Sequence, residues 1–314
     1  MSIESGEKQR IAMIGLGDIA QKAYLPIVAN RGDVSPILVT RNVETLTQLA
    51  QQYRINECYQ DIESLVQTKP DAAMVHSATE AHYPIASTLL KANIATFVDK
   101  PLSLKIEECR HLVDIAKANN TPLFLAMNRR YAPLISGLKQ SSPIHVKWQK
   151  NRNNILSTAQ NTIFNDFIHV VDGLRFLSNA SLKEITQSLD VHAYFVGEHL
   201  GNISIRFTYN NALFEGSMNR VAGTTEETIE YYCAHQKHYI NNLTTGWKVQ
   251  SGIKSQLGFS DWQSYLFTRG FVDLFSDWQA IIKDNQLYSP KHLEDILATH
   301  ELCQTILSRI DNQK

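Results

Sequence analysis

The sequence predicts an α/β protein of two domains, with a doubly wound parallel sheet first and a second α/β domain after it. Its 314 residues are long for one domain and natural for two. From Ile11 to about Ala126, short apolar runs alternate with helical patterns, which is typical of parallel strands and crossover helices. After Ala126 the apolar segments are longer, more alternating and richer in β-branched and aromatic residues. We therefore place the domains at 1–126 and 127–314, and the last helices can pack back on the first domain.

Apolar runs bounded by turn residues define the strands of the first domain. They are predicted at Ile11–Ile14, Pro36–Val39, Ala72–Val75, Thr96–Val98 and Leu123–Ala126. Amphipathic helices are predicted between them, at Ile19–Ala29 with an interruption at Pro26, Val43–Tyr53 with Asn42 as its cap, Ile62–Thr68, Tyr83–Lys91 and Ile106–Ala118.

Alternating patterns define the strands of the second domain. They are predicted at Ile144–Trp148, Glu184–Tyr194, Ile203–Tyr209, Leu213–Asn219, Thr228–Cys233 and Trp247–Gln250. Asn210-Asn211 predicts a tight turn and therefore an antiparallel hairpin. Two helices are predicted to close the chain, one at Tyr265–Asp284 and one from Ser289-Pro290 to about Ile310.

Composition narrows the possible partners. The sequence has 30 basic and 31 acidic residues and no basic block, which argues against nucleic acid or an anionic membrane and favours a small-molecule substrate. The four cysteines are far apart and form no CxxC pair, so neither a metal site nor a disulfide framework is predicted. The polar N-terminus and the lack of a long apolar run predict a soluble, cytoplasmic protein.

The stretch IAMIGLGDIA, Ile11–Ala20, carries the first functional signal. Gly15 permits a sharp strand-to-helix turn, Gly17 lets the backbone approach a pyrophosphate, and Ala20 lets the helix lie close to the strand. Phosphates would bind the free amides at the start of that helix. The glycine spacing alone is weak, but the strand–helix alternation around it supports a Rossmann dinucleotide-binding domain. The predicted cofactor contacts here are Gly15, Leu16, Gly17, Asp18 and Ile19.

The end of the second strand bears on the choice of cofactor. An acidic residue there normally accepts hydrogen bonds from the ribose hydroxyls of NAD, but this chain has Thr40-Arg41-Asn42. A guanidinium can bind a 2′-phosphate in a bidentate manner and a hydroxyl can donate to it. Thr40 and Arg41 therefore favour NADP over NAD. The alternatives are that Arg41 is a solvated loop charge, or that it stacks on adenine without selecting a cofactor.

Two further loops follow carboxyl ends of predicted strands, where ligands bind in such sheets. Ser77, Thr79 and His82 follow Ala72–Val75 and are predicted to meet cofactor or substrate, although His82 could instead cap a helix. Asp99-Lys100-Pro101 follows the next strand. Lys100 there could hydrogen-bond a substrate hydroxyl or carbonyl and shift its proton affinity, while a lysine in a loop is usually only solvated.

Together these residues resemble the Gfo/Idh/MocA oxidoreductases, which include glucose-fructose oxidoreductase and inositol dehydrogenase. The resemblance rests on the glycine turn, on Ser77-Ala78-Thr79 with His82, and on Asp99-Lys100-Pro101, which is similar to the family's Glu-Lys-Pro signature with a shorter acid. It implies a nucleotide domain, with Asp99 and Lys100 among the cofactor contacts. It also implies a second domain whose mostly antiparallel, open-faced sheet often forms homodimers or tetramers.

The segment from Asn161 to Asp172 is predicted to be a helix that completes the site. At about 100° per residue, the apolar side chains of this helix and its continuation gather on one face, namely Phe164, Phe167, Ile168, Val171 and Leu174. Asn165, His169 and Asp172 project to about the opposite flank, and Asp166 lies near His169. For an isolated helix, these polar groups could equally be its solvated side.

The resemblance gives this polar flank a role. Family members carry an aspartate and, four residues on, a histidine, which are matched here by Asn165 and His169. The resemblance implies that His169 exchanges a proton with a substrate hydroxyl, supported by Lys100. Asp172 could orient the imidazole ring. Asn165 cannot ionise, so Asp166 or Asp172 would have to replace the missing carboxylate, or activity would be slow, altered or absent.

The leading hypothesis is an NADP-dependent, less favourably NAD-dependent, dehydrogenase or reductase. It would transfer a hydride between nicotinamide and a secondary alcohol or ketone of a sugar- or polyol-like molecule. The alternatives are a non-catalytic redox sensor that binds the dinucleotide, and a relative that cleaves glycosides while recycling its cofactor. Four residues are candidate substrate contacts that could equally be packing or surface residues, namely Arg129, Tyr131, Arg152 and Trp262.

Overall fold

The protein is described by a computed structural model, which covers residues 8–284 and 288–312. Internal contacts divide the chain into two compact units. The first comprises Met1–Ala126 and Leu274–Leu297, and the second comprises Met127–Asp273 and Ala298–Lys314. The first unit thus takes a late segment out of the range that the sequence assigned to the second domain.

The first unit contains a six-stranded, all-parallel sheet in the order β3-β2-β1-β4-β5-β6. Its strands are β1 Gln9–Ile14, β2 Val34–Val39, β3 Cys58–Tyr59, β4 Ala72–Val75, β5 Ala95–Val98 and β6 Leu123–Leu125. The predicted doubly wound sheet is confirmed. The sequence missed only the two-residue β3, which is too short to show a pattern.

Helices connect these strands. They are Leu25–Val28, Val43–Tyr53, Ile62–Gln67, Thr79–Lys91 and Ile106–Ala118, with a π-helical turn at Ala20–Tyr24 before the first. The Asn42 cap is confirmed, since its side chain accepts a hydrogen bond from Thr45 N. Pro26 lies in the first turn of its helix, where a missing N–H costs little.

Aromatic packing ties the late segment of the first unit to its sheet. Trp278, on the helix Phe271–Lys283, meets Phe97 of β5 edge-on with ring centroids 5.2 Å apart, and both side chains are fully buried. At the rim of the same unit, Arg31 Nη2 donates to Gln279 Oε1 at 2.7 Å and Lys283 pairs with Asp33 at 2.7 Å. The first core is therefore completed by residues that lie about 150 positions after β6 in the chain.

The second unit contains an eight-stranded sheet in the order β14-β13-β12-β11-β7-β10-β9-β8. Its strands are β7 Pro143–Asn151, β8 Asp190–Val196, β9 His199–Tyr209, β10 Ala212–Asn219, β11 Glu226–Cys233, β12 Gln236–Asn241, β13 Thr245–Gln250 and β14 Ile253–Leu257. Every pairing is antiparallel except β7 with β10. The Asn210-Asn211 hairpin is confirmed, and both residues have the positive φ that a type I′ turn requires.

One predicted strand is wrong. Glu184–Tyr194 is divided between a helix, Leu182–Ser188, and the strand β8. Ser181 caps this helix: its hydroxyl accepts a hydrogen bond from the Glu184 amide, and the Glu184 carboxylate accepts one from the Ser181 amide. This capping box satisfies two backbone donors at the helix start. The strands β12 and β14 were not predicted from the sequence.

The remaining helices surround the sheet or close the chain. They are Asn128–Tyr131, Pro133–Ser136, Gly137–Gln140, Ala159–Thr162, a π-helical turn at Ile163–Phe167, Ile168–Ser178, Tyr265–Thr268, Phe271–Lys283 and Pro290–Asp311. The last confirms the predicted final helix. The helix predicted at Tyr265–Asp284 is broken instead at Gly270, whose φ is +80°.

The helix Ile168–Ser178, called here the His169 helix, packs on one face of this sheet. Its predicted apolar face is confirmed, since the five predicted side chains are fully buried. Two glycines permit the close approach: a Cβ on Gly173 would overlap the indole of Trp148, and a Cβ on Gly216 would lie 2.7 Å from Val170. The polar flank is also buried, with His169 4% and Asp172 1% exposed. It is therefore not the solvated side of a surface helix.

Among the described residues, no helix is long and apolar enough to cross a membrane. Within the same ranges, no group of three or more His, Cys, Asp or Glu side chains is arranged to hold a metal ion. The four cysteines are free, with Cys58 half-buried and the other three buried.

Candidate active site

The turn after β1 fits the predicted dinucleotide cradle. Gly15 has φ +84°, and a Cβ there would lie 2.6 Å from the backbone N of Ser77. Its own amide donates to Val39 O, the last residue of β2, at 3.0 Å. Both the backbone conformation and the space therefore require glycine here. The turn places the loops after β1, β2 and β4 side by side.

Gly17 differs from Gly15. A Cβ on Gly17 would meet nothing of the described chain within 4 Å, so packing does not exclude a side chain there. Gly17, Asp18 and Ile19 are exposed, whereas Leu16 is buried and turns into the core. The open space beside Gly17 is what the close approach of a pyrophosphate requires.

At the end of β2, Thr40 is half-buried and Arg41 is exposed. The Thr40 hydroxyl accepts a long hydrogen bond, 3.4 Å, from the amide of Asn42. Within the described chain, no hydrogen bond or ion pair engages the Arg41 guanidinium. Its position at the carboxyl edge of the sheet agrees with the predicted contact to the adenosine end of the cofactor.

His82 links two loops of this edge. It is 2% exposed, its Nδ1 lies 2.7 Å from Pro101 O, and its Nε2 lies 2.9 Å from Ser77 O. A neutral ring can donate to one of these carbonyls and an imidazolium to both. His82 therefore holds the Ser77 loop and the Lys100-Pro101 loop together. Thr79, half-buried, begins the helix on which His82 lies.

His76, just before Ser77, is a buried neighbour of this edge. Its ring stacks on Tyr24 with centroids 4.3 Å apart. Burial, assisted by the charge of His82, lowers the pKa of His76 to about 3. The ring therefore stays neutral at physiological pH and serves as packing.

Lys100 lies half-buried at the end of β5, next to a cis peptide bond to Pro101. Its backbone amide donates to Asp99 Oδ1 at 2.8 Å, so Asp99 fixes the turn that carries the lysine. Together with the His82 contact to Pro101, this places Lys100 at the sheet edge where the sequence predicts it.

In the second unit, His169 belongs to a buried polar chain. Its Nε2 lies 3.1 Å from Arg129 Nη1. Arg129 in turn donates to both oxygens of Glu227, at 3.3 and 3.0 Å, and Trp148 Nε1 donates to Glu227 Oε1 at 3.0 Å. An arginine is always a donor, so His169 Nε2 faces it as an acceptor.

Glu227 is the negative centre of that chain. Burial alone would raise its pKa, but the charges of Arg129 and Lys150 and the hydrogen bonds from Arg129 and Trp148 lower the pKa of Glu227 to about 2. It therefore stays ionised and fixes Arg129 against the His169 ring.

The Asp166 carboxylate is held by cations. Its carboxylate binds three cations: Lys150 at 2.5 Å, Arg152 at 2.7 Å and Arg220 at 2.6 Å. Burial acts to raise its pKa, but the hydrogen bonds and charges of Arg152 and Lys150 win and hold the pKa of Asp166 far below its usual range. A carboxylate held this way is a poor proton acceptor, so the structure gives no support to Asp166 as the substitute for Asn165.

Asp172 does not orient His169 directly. Its two oxygens accept from Arg130 Nη2 at 2.5 Å and Nε at 2.8 Å, and from the Thr299 hydroxyl at 2.9 Å. No hydrogen bond joins Asp172 to His169 in the described part of the chain. The predicted hydrogen bond between Asp172 and His169 is therefore wrong. Side chains three residues apart lie on the same flank of a helix, but each of these two binds a different side chain that packs against the helix.

The π-helical turn at Ile163–Phe167 alters the predicted register of the flank. A π turn holds more residues than an α turn, so Asn165 is not one regular α-helical turn before His169. Asn165 is half-buried. Four other residues were candidate substrate contacts. Arg129 pairs with Glu227 and Arg152 pairs with Asp166, whereas Tyr131 is half-buried and Trp262 is 96% exposed.

Sequence reasoning missed Lys150, Arg220 and Glu227. Each continues the inward-facing alternation of its strand, after Trp148 in β7, after Met218 in β10 and before Ile229 in β11. A charge at an inward position of a strand was the available signal.

Comparison with known proteins agrees with this geometry. A family model described as "Oxidoreductase family, NAD-binding Rossmann fold" (GFO_IDH_MocA) matches residues 9–127, and one described as "YceM-like, C-terminal domain" matches residues 130–251. The crystal structure of a Gfo/Idh/MocA family oxidoreductase from Vibrio cholerae is 31% identical, covers 98% of this chain and 99% of that chain, and has a TM-score of 0.91. This chain belongs to the Gfo/Idh/MocA family of oxidoreductases.

Two further relatives match different lengths of this chain. YceM of Salmonella typhimurium is 28% identical over 84% of this chain and 86% of its own. The D-glucoside 3-dehydrogenase of Escherichia coli is 27% identical over 39% of this chain and 36% of its own. The chain is therefore an oxidoreductase with an NAD-binding Rossmann fold, as the sequence motifs predicted.

Proposed function

We propose that this oxidoreductase is a dehydrogenase that uses NADP, or less favourably NAD, on a secondary alcohol or ketone of a sugar- or polyol-like molecule. The observation that carries the proposal is the carboxyl edge of the six-stranded sheet. There Gly15 fits only as glycine, Gly17 opens to free space, and His82 ties the Lys100 loop to the Ser77 loop. The name of the D-glucoside dehydrogenase supports the substrate class.

The residues present fit a nicotinamide dinucleotide. The backbone from Gly15 to Ile19 would bind its pyrophosphate, and Thr40 and Arg41 would bind its adenosine end. The loops that carry Ser77, Thr79 and Asp99 would surround its nicotinamide end. When bound, this group would accept or supply the hydride. The chain's own task is then to hold the cofactor and substrate and to move the hydroxyl proton.

His169 and Lys100 are the proposed proton-handling residues. Oxidation of an alcohol removes a hydride from carbon and a proton from oxygen, and a neutral imidazole can take that proton. The acceptor nitrogen of His169, Nε2, faces Arg129 Nη1 at 3.1 Å, so Nε2 would have to exchange this hydrogen bond for one from the substrate hydroxyl. The Lys100 ammonium would donate a hydrogen bond to the substrate oxygen and stabilise the negative charge that develops on it.

The test is hydride transfer measured by the absorbance of reduced nicotinamide against a panel of sugars, polyols and their ketones. Lys100→Met and His169→Asn should each lower kcat about 10²- to 10⁴-fold while the nucleotide Kd changes little. Full turnover in both variants would refute the assignment. Tight nucleotide binding with no turnover of any panel member by the wild type would favour the redox sensor. A new sugar product without net absorbance change would favour the glycoside-cleaving alternative.

Cofactor preference has its own test. Replacing Arg41 by Ala should raise the Kd for NADP by about 10- to 150-fold, since a charge-assisted bidentate contact contributes roughly 1.5 to 3 kcal/mol, and should leave the Kd for NAD nearly unchanged. Arg54→Asn is the matched control, because Arg54 is an exposed arginine at the opposite end of the helix Val43–Tyr53. An equal effect of Arg41→Ala on both cofactors would refute the NADP preference.

We also infer a small-molecule substrate and a homodimer or tetramer formed through the eight-stranded sheet. The His169 helix packs on one face of this sheet, while the other presents polar side chains such as Lys147, Arg206 and Glu215. Sedimentation should show more than one copy, and charge reversal at Arg206 should shift it towards the monomer. A monomeric wild type would refute the inference.

A further inference from the structure

The charged network of the second unit holds more positive than negative charge. It consists of four cations, Arg129, Lys150, Arg152 and Arg220, and two carboxylates, Asp166 and Glu227, and is called here the cation cluster. Five of its six side chains are at most 13% exposed, and only Arg152 reaches 30%. Two positive charges are therefore left without a carboxylate inside the described cluster.

Burying unbalanced charge is costly, because the protein interior solvates it poorly. Lys150 shows this cost most clearly. Burial lowers the pKa of Lys150 to about 7, and Arg129 and Arg152 assist, although Asp166 and Glu227 act in the opposite direction. Among the cations of the cluster, Lys150 is the one that can relieve the imbalance by releasing its proton near neutral pH. A bound anion would relieve it in another way.

The cluster also has donors to spare. Arg152 uses Nε and Nη2 on Asp166, and Arg220 uses Nε on Ile155 O and Nη1 on Asp166. Across the described residues, no hydrogen bond uses Arg152 Nη1 or Arg220 Nη2. Both guanidinium groups bind the same carboxylate, Asp166. A planar or tetrahedral oxyanion is the ligand that two guanidinium edges recognise.

We infer that the cation cluster binds an anionic group of the substrate, a carboxylate or a phosphate, through Arg152 and Arg220. That the bound anion belongs to a substrate rests on the proposed function. The binding of an anion to the cluster does not depend on it. The favoured substrates are then sugar acids or sugar phosphates rather than neutral polyols.

The inference has a linkage consequence. An anion near Lys150 favours its ammonium form, so binding above pH 7 should take up as much as one proton. The charged groups that act on Lys150 are Arg129, Asp166, Glu227 and Arg152, and Asp166 accepts its hydrogen bond. Because these stay ionised at neutral pH, Lys150 is the group expected to supply the pH dependence.

The experiment is titration calorimetry of the full chain with D-gluconate, D-glucose 6-phosphate and D-glucitol. Glucitol has the carbon chain of gluconate without its carboxylate. The two anions should bind at least about tenfold more tightly than glucitol, and Arg152→Gln should remove most of that preference. Arg54→Asn is the control, since Arg54 is an exposed arginine of the first unit, outside both the cluster and the eight-stranded sheet, and it should keep the preference. Preference for one anion over the other identifies carboxylate or phosphate.

Lys150→Arg separates the linkage from folding defects, because arginine keeps the charge and does not titrate. The wild type should lose affinity for the anion by up to tenfold per pH unit above pH 7, and Lys150→Arg should bind with little pH dependence. Equal binding of gluconate, glucose 6-phosphate and glucitol would overturn the inference even if neutral polyols are turned over. Anion binding that depends on Arg152 without turnover of any compound would uphold it and refute the dehydrogenase instead.

Discussion

The contact between Gly173 and Trp148 makes the sharpest stability prediction. A Cβ on Gly173 would lie 2.5 Å from Cη2 and 2.7 Å from Cε3 of the indole, and closer still to Cζ3. Ordinary carbon contacts are about 3.5 to 4.0 Å, so Gly173→Ala requires the helix and the strand β7 to separate by roughly 1 Å. Such overpacking costs about 1 to 3 kcal/mol and occasionally more. The better helix propensity of alanine returns about 1 kcal/mol.

The net expectation is a loss of about 1 to 2 kcal/mol, or about 5- to 30-fold in the folded-to-unfolded ratio. Activity should fall as well, because His169 lies one helical turn before Gly173 and Trp148 holds Glu227. A displacement of about 1 Å at a proton-transfer group can cost about 100-fold in kcat. The measurements are urea unfolding and kcat at a fixed pH.

Gly137→Ala is the control. Gly137 also has helical geometry in the second unit, yet a Cβ there would meet nothing within 4 Å. This variant should be neutral or stabilised by about 0.4 to 1 kcal/mol. An unfolding midpoint of Gly173→Ala equal to that of Gly137→Ala would refute the packing argument. A lower midpoint with wild-type kcat would refute the link from packing to His169.

Three further predictions concern ionisation and reactivity. The pKa of lysine is near 10.5 in the unfolded chain and that of Lys150 is about 7 in the folded protein, so the unfolded chain binds more protons between these pH values and the free energy of unfolding should rise with pH. Lys150→Met should abolish this rise, measured as the urea midpoint at several pH values. An unchanged slope would contradict the prediction. Glu227→Gln should lower the free energy of unfolding by about 3 to 5 kcal/mol at neutral pH, because it leaves Arg129 without a counter-charge. Since the pKa of Glu227 in the folded protein is about 2, the wild type should lose the stability that the ionised Glu227 provides as the pH falls from about 4.5 to 2, which urea unfolding at several pH values would show. A thiol reagent followed by mass spectrometry should modify Cys58 first, because the other three cysteines are buried and burial raises the pKa of Cys109 to about 12; early labelling of Cys109 would contradict the structure.

The first unit could be predicted from sequence because its signals are local. Each parallel strand is a continuous apolar run, and Gly15 and Asn42 act within a few residues of themselves. The misassigned strand at Glu184 was also a local matter, since Ser181 and Glu184 form a capping box that the sequence displays. That error came from weighing alternation above a cap.

Other features depend on contacts distant in sequence. Gly270 breaks a helical pattern because a Cβ there would overlap backbone atoms of Asn128 and Ala132, about 140 residues earlier. Asp172 shares a flank with His169, but Arg130 and Thr299 decide its partner. Helical spacing gives the direction of a side chain and leaves open what it meets.

The sequence predicted several residues of the candidate site, but it did not predict which side chains hydrogen-bond or pair with each other. Lys100, His82 and His169 were found by position and resemblance. The role of His82 as a link between two backbone carbonyls was not. Lys150 and Glu227 lie at inward strand positions, and only the assembled sheet places them beside each other.

The first unit is formed from two segments that are far apart in the chain, and this sets an order for its folding. During synthesis on a ribosome, all six parallel strands emerge well before Trp278, the side chain that covers Phe97. The nascent sheet must therefore wait with part of its interior open until the second unit has been translated. A truncation after residue 270 should leave a first unit that aggregates or recruits chaperones, although every one of its strands is present.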